Sequence, residues 1–353
     1  MADLTASNPT KCGFKYEPEW LGALADPLAL QYDPQPRGSL NARRAVSSYY
    51  ASHGVAVDPG QVILTTSTSE AYSFLFRLLC DPGAEVLVPQ PSYPLFDFLA
   101  ALDDVRIKPA SLVYDEGWQI EPEGLRRAIT PATRAIVLVH PNNPTGHFTK
   151  PWEAEQLGEL CREFELSLIV DEVFLDYAIS GSGQSFAAGI EGVPVFVVSG
   201  LSKIAGLPQM KAAWIVATGP EREAALDRLE VIADTFLSMN APIQCALPAW
   251  LERRGEIQRQ ITQRVTANLA ELDRQCATVP AVHRLPVEGG WYAVLRIPAL
   301  EPDEKTVLAL LEQGVWVHPG YFFGMPPSGW LVVSLLAPTA EFSAGVTALV
   351  NHL

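Results

Sequence analysis

Six short runs rich in β-branched residues punctuate the chain between residues 61 and 218: QVILTT (61–66), AEVLVP (84–89), RAIVLVH (134–140), LSLIVDE (166–172), VFVVSG (195–200) and AAWIVAT (212–218). Most are continuously apolar, without the alternation of a strand that has one face in water. Such runs suit strands covered on both faces. Helical patterns lie between them, for example over 70–79 and 152–165. Strand and helix in alternation predict an α/β fold with a mostly parallel sheet flanked by helices. Ligands on such sheets bind beyond the carboxyl ends of the strands. With 353 residues, of which 48% are hydrophobic and 18% charged, the chain can bury a large core.

Past about residue 240 the pattern changes. A long polar helix is predicted over 249–275, followed by GGWYAVLRIP (289–298) and GWLVVSLL (329–336). This predicts a smaller α+β domain over 241–353, after a large domain over 31–240. Residues 1–30, rich in proline and polar turn formers, are expected to pack on the small domain. The net charge of −15 excludes the basic footprint of a nucleic-acid binder and favours a soluble, cytoplasmic protein. No apolar run approaches the roughly 20 residues of a membrane span. The opening MADLTASNPTKCGF lacks the basic-then-apolar order of a signal peptide. Cys12, Cys80, Cys161, Cys245 and Cys276 are scattered without CxxC spacing, which predicts reduced thiols and no zinc site.

The strands end in unusual chemistry. VILTT leads into Ser67, Thr68 and Ser69, which open a helix. That arrangement is an ordinary N-cap or, with the free N–H groups and the positive helix end, a phosphate site. AIVLVH leads into PNNPTG, a polar turn holding Asn143. SLIV ends in Asp171 and Glu172, carboxylates that are costly at a buried strand end unless partnered. VFVVSG leads to Lys203, which is either a snorkelling surface lysine or an amine desolvated to become nucleophilic. A phosphate cradle, an amide, a carboxylate and an amine are together what pyridoxal phosphate requires. Its aldehyde needs a lysine, and its ring nitrogen needs a carboxylate to stay protonated.

With HPNNPTG, DEVFLDY and LSKIAGLPQMK in this order, the sequence resembles the class I/II aminotransferases, fold-type I pyridoxal-phosphate enzymes, over nearly its whole length. The resemblance implies a three-layer large domain with a smaller α+β domain. Lys203 then looks like the Schiff-base lysine and proton shuttle, Asp171 like the partner of the ring nitrogen, and Asn143 like the donor to the ring oxygen. Tyr93 looks like the residue stacked on the ring, and Ser67, Thr68, Ser202 and Lys211 like the phosphate cradle. Tyr32 matches a tyrosine that reaches the neighbouring subunit's phosphate, which implies a homodimer with shared sites. From the residues alone, Tyr32 reads equally well as a core tyrosine.

Three positions depart from the family pattern. Lys211 and Phe174 stand where an arginine and a tyrosine are usual, with Tyr177 nearby as a candidate to compensate. Val332 stands where the family usually has the arginine that grips the substrate carboxylate. Asn8, Arg37 and Lys11 are the nearby candidates to replace it, Lys11 reading better as a surface residue. Trp291, Tyr321, Phe322 and Phe323 would make the substrate side aromatic, at least two of them as plain core. His140 and His147 read as structural. The expected function is transfer of an amino group from a small-molecule donor, an amino acid, to a 2-oxo acid by a ping-pong cycle at Lys203. A β-lyase or decarboxylase on the same cofactor is the alternative. A non-catalytic cofactor-binding sensor is less favoured, since such proteins carry a DNA-binding domain and this chain begins near the family motifs.

Overall fold

The computed structural model describes residues 1–353. Eight strands form one sheet: β2 (Val62–Thr65), β3 (Glu85–Gln90), β4 (Arg106–Tyr114), β5 (Trp118–Ile120), β6 (Thr133–Val139), β7 (Ser167–Asp171), β8 (Val195–Gly200) and β9 (Ala213–Thr218). Their order is β2-β9-β8-β7-β6-β3-β4-β5. Strands β4, β3, β6, β7 and β8 run parallel, whereas β9 is antiparallel to both β8 and β2. Alternation along each strand explains the unbroken apolar runs. Ile136, Leu138, Leu168, Val170, Val195 and Val197 enter one buried cluster, while Val137, Val139, Ile169, Phe196 and Val198 enter the other. Each strand therefore feeds two cores, one under each helical layer.

A second, four-stranded antiparallel sheet has the order β10-β11-β14-β13, with β10 at His283–Arg284, β11 at Tyr292–Arg296, β13 at His318–Pro319 and β14 at Trp330–Ser334. The extreme N-terminus belongs to this end of the molecule. Strand β1 (Ala2–Asp3) pairs with β12 (Val315–Trp316), and Ser334 N–H donates to Leu4 O at 2.7 Å. The following residues reach the turn after the short helix Leu201–Ile204, where the Tyr16 hydroxyl donates to Gly206 O at 2.7 Å.

The helical stretch predicted over 249–275 is two helices, Ala241–Arg253 and Gly255–Cys276. The first is capped by Asn240, whose side chain accepts from Ile243 N–H, and it carries Pro248 inside. Its fully buried Ala246, Leu247 and Trp250 hold it in place, so packing overrides the local cost of the proline. No helix is long and apolar enough to cross a membrane.

Candidate active site

Strand direction collects the chemistry at one edge. Because β2, β3, β6, β7 and β8 point the same way, their carboxyl ends, which lead to Ser67, Tyr93, Asn143, Asp171 and Lys203, share that edge. Strand β9 runs the opposite way, so its start brings Lys211 to the same place: Ala213 is the register partner of Gly200. A cavity of about 300 Å³ opens there. Ser67, Thr68, Tyr93 and Asn143 line it, together with Asp171, Ser202, Lys203 and Lys211.

The Lys203 amine lies 5.4 Å from the centroid of Trp291 and 5.9 Å from that of Phe174. Burial lowers its pKa below the ordinary lysine value, against the opposing pull of Asp171. Water is thus withheld from a group that would otherwise stay protonated, which favours the nucleophilic amine. The Tyr177 hydroxyl donates to Lys203 O at 2.7 Å. Tyr177 therefore holds the lysine's backbone and does not stand in for the hydroxyl missing at Phe174. Tyr177→Phe would remove one of that carbonyl's donors, Gly206 N–H at 3.1 Å remaining, and an expected loss of about 0.5–1.5 kcal/mol follows. Denaturant unfolding checks this, and an unchanged midpoint and slope would contradict it.

Asp171 accepts from Val173 N–H at 3.0 Å and from the Tyr72 hydroxyl at 3.1 Å. Burial pushes its carboxyl up to about 6, with the two hydrogen bonds and Lys203 pulling the other way. Its neighbour Glu172 does not line the cavity; it accepts from the Ser185 hydroxyl at 2.7 Å and Phe186 N–H at 2.6 Å. One carboxylate is left for chemistry and the other ties down a loop. The PNNPTG turn divides its amides similarly. The Asn142 side chain donates to Pro91 O and Thr145 Oγ1, both at 2.9 Å, whereas Asn143 Oδ1 is buried without a partner. Gly146, at φ +72°, closes the turn where a Cβ would meet Gly289 O at 2.6 Å. His147 bonds Glu153 at 2.9 Å, and burial lowers His140 to about 3, so both histidines are structural.

Ser67 caps the helix Thr68–Leu79 by accepting from Glu70 N–H at 3.1 Å. The first-turn N–H groups of a helix have no partner within it, and the positive end of the dipole favours an anion beside them. Ser202 and the exposed Lys211 complete the polar rim of that end of the cavity.

The other predicted site residues lie elsewhere. Arg37 is held by Asp227 at 3.0 Å and by Glu230, with Gly60 O as a third partner, so its charge is spent on the large domain. Asn8 is exposed and caps the turn Pro9–Lys11; its neighbour Ser7 is the residue that reaches the cavity. Tyr321 is half-exposed outside the lining. Tyr32 is 86% exposed, which excludes the core reading of it. The cavity also contains Tyr292, and the site uses Tyr72, neither of which the sequence reading singled out. A tyrosine on the apolar face of the helix Thr68–Leu79 was the available signal for Tyr72, since a buried hydroxyl needs a partner. Nothing local marks Ser7 or Tyr292.

The match to known proteins spans the molecule. The family model for aminotransferase class I and II covers residues 3–349. The chain belongs to this family. The alanine aminotransferase of Mycobacterium tuberculosis H37Rv is 28% identical, across 99% of this chain and 85% of its own length. A glutamate-pyruvate aminotransferase of Escherichia coli K12 is 28% identical across 94% of this chain and 85% of its own length. In structure, the alanine aminotransferase of Pyrococcus furiosus superposes with a TM-score of 0.89 over 99% of this chain and 91% of its own, at 24% identity. The protein is an aminotransferase of fold type I, in a family of pyridoxal-phosphate enzymes.

Proposed function

We propose that this aminotransferase holds pyridoxal phosphate in the cavity at Lys203 and exchanges an amino group between a small amino donor and an oxo acceptor. One observation carries the reading. A desolvated amine, a buried carboxylate and the side-chain amide of Asn143, whose NH2 can donate, line one space, beside a helix N-terminus suited to phosphate. These residues fit the cofactor's aldehyde carbon, ring nitrogen, ring oxygen and phosphate in turn. The bound cofactor would supply an electron sink for the carbon that loses its proton. Lys203 would bind the aldehyde carbon and, once displaced, carry the proton between donor and cofactor. Asp171 would keep a proton on the ring nitrogen, and Asn143 would orient the ring. Tyr93 would pack on the ring, with Ser67, Thr68, Ser202 and Lys211 around the phosphate. The test is an absorbance titration. Addition of donor should move the visible band to shorter wavelength, and an oxo acceptor should restore it. Release of ammonia or carbon dioxide in stoichiometric amount would instead indicate a lyase or decarboxylase.

The same reading includes a homodimer. Leu28, Leu30 and Tyr32 are 61%, 91% and 86% exposed. Leu30 and Tyr32 share a cleft with Leu237 and Met239, which makes an apolar surface suited to a second copy. Sedimentation should report a dimer at micromolar concentration, and Leu30→Asp should shift it toward monomer. A wild-type monomer would overturn this part of the reading.

A further inference from the structure

The Asp171 carboxyl has one donor on each oxygen. Oδ1 accepts from Val173 N–H at 3.0 Å, a bond local to the strand end. Oδ2 accepts from the Tyr72 hydroxyl at 3.1 Å, from a residue 99 positions away in the sequence. Donors on both oxygens set the plane of the carboxyl, and each oxygen keeps a lone pair for a further donor.

Tyr72 itself lies outside the cavity lining. It is buried on the helix Thr68–Leu79, with its ring centroid 5.2 Å from that of Phe96 in a T-shaped contact and 6.0 Å from that of Phe76. Tyr93, which lines the cavity, meets the same Phe96 at 5.6 Å. Packing thus places the phenol before it donates. Burial and then the charge of Asp171 raise the Tyr72 pKa well above its ordinary value, so the hydroxyl keeps its proton. The other titratable groups that act on Asp171, or feel it, are Lys203, Tyr93, Tyr50 and Glu172. Lys203 acts through charge, Tyr50 accepts from Trp214 Nε1–H at 3.1 Å, and Glu172 is taken up by Ser185 and Phe186. Tyr72 is the side chain that bonds the carboxyl directly.

Thr68 and Tyr72 are four residues apart on their helix and share a face. The helix end suited to phosphate and the hydroxyl that holds Asp171 therefore belong to one rigid element. That element would set the separation of the two ends of the cofactor.

We propose that Tyr72 is a positioning residue for amino transfer: its hydroxyl holds the Asp171 carboxyl in the plane that meets the cofactor's ring nitrogen and stabilises it as the anion that keeps that nitrogen protonated. The proposal rests on the aminotransferase reading. A hydrogen bond to the charged form of a carboxyl favours that form. Without it the carboxyl is more basic, draws the proton from the ring nitrogen and weakens the electron sink.

Two measurements test it, and Tyr72→Phe serves both because it keeps the ring and its packing on Phe96. The first uses the cofactor-free protein labelled with 13C-aspartate, in which loss of a signal in Asp171→Ala assigns the Asp171 Cγ resonance. That resonance should titrate at about 6 in the wild type. In Tyr72→Phe its midpoint should lie at least about half a pH unit higher. In the wild type the Tyr72 Cζ resonance should follow the same midpoint as Asp171, a readout that needs no Tyr72 variant. An unmoved or lowered midpoint, or a Cζ signal that stays flat through that range, overturns the proposal. The second uses enzyme loaded with pyridoxal phosphate labelled with 15N at the ring nitrogen. Tyr72→Phe should move that resonance from the protonated position at least about a tenth of the way toward the position in Asp171→Ala. In an Asp171→Ala background the same substitution should move it no further, because the hydroxyl acts through the carboxyl. An equal movement in both backgrounds overturns the proposal. If the wild-type nitrogen is already unprotonated, the pairing of Asp171 with the cofactor fails and the catalytic role of Tyr72 with it, whereas the cofactor-free titration still decides whether the hydroxyl holds the carboxyl.

Discussion

Lys203→Ala is expected to abolish the visible absorbance of the lysine-bound cofactor and to cut turnover by about 10³-fold or more, since it removes both a nucleophile and a proton carrier. The structure makes this a clean test. The amine sits against Trp291 and Phe174, and the hydrogen bond from Tyr177 goes to the backbone carbonyl, which alanine retains. Removing a desolvated amine leaves the surrounding core intact, so the variant should fold. An absorbance scan and steady-state rates decide the outcome. Normal turnover by Lys203→Ala would refute the assignment of the reacting amine.

The second large effect is expected from Asp171→Ala. Lys203 remains, so cofactor still binds with its visible band, but the ring nitrogen loses its carboxylate. Deleting a preorganised charge of this kind costs about 10²–10³ in rate. Exchange of the donor's α-hydrogen with solvent deuterium, followed by NMR, should slow by that factor, and an unchanged exchange rate would sink the pairing. The cofactor-free protein offers a second readout. The Asp171 carboxyl titrates at about 6 in the folded protein, raised from an ordinary 3.8 by burial. Its proton is therefore held more tightly folded than unfolded. The stability it contributes is complete below the lower value and is lost as pH rises through the upper one. Between pH 4 and pH 6 the wild-type protein should lose unfolding free energy that Asp171→Ala does not lose.

Much of this site is legible in local sequence. A buried strand must be apolar on both faces, so polar residues at its end stand out, and Asp171, Asn143 and Lys203 were each visible as interruptions of such a run. Strand β4 was missed for the converse reason. Along its nine residues only Ala110 and Leu112 are buried, and it lies near the sheet edge, so it lacks the continuous pattern of its neighbours. The helix Leu40–Ser52 was also missed; its buried face is only Ala42, Val46, Tyr49 and Tyr50 among polar residues.

What local chemistry alone determined was the inventory: two-faced strands, a capped helix at Ser67, and a carboxylate, an amide and an amine at strand ends. These follow from periodicity and capping, which act over a few residues. What only the tertiary structure decided was which groups meet. Asp171 turns to the cavity and Glu172 to Ser185 and Phe186 because successive strand-end residues face opposite ways. Arg37 is taken up by Asp227 and Glu230, some 190 residues away, and Ser7 reaches the cavity because Leu4 is tied to Ser334. Those pairings depend on chain direction and long-range register, which no short window of sequence contains.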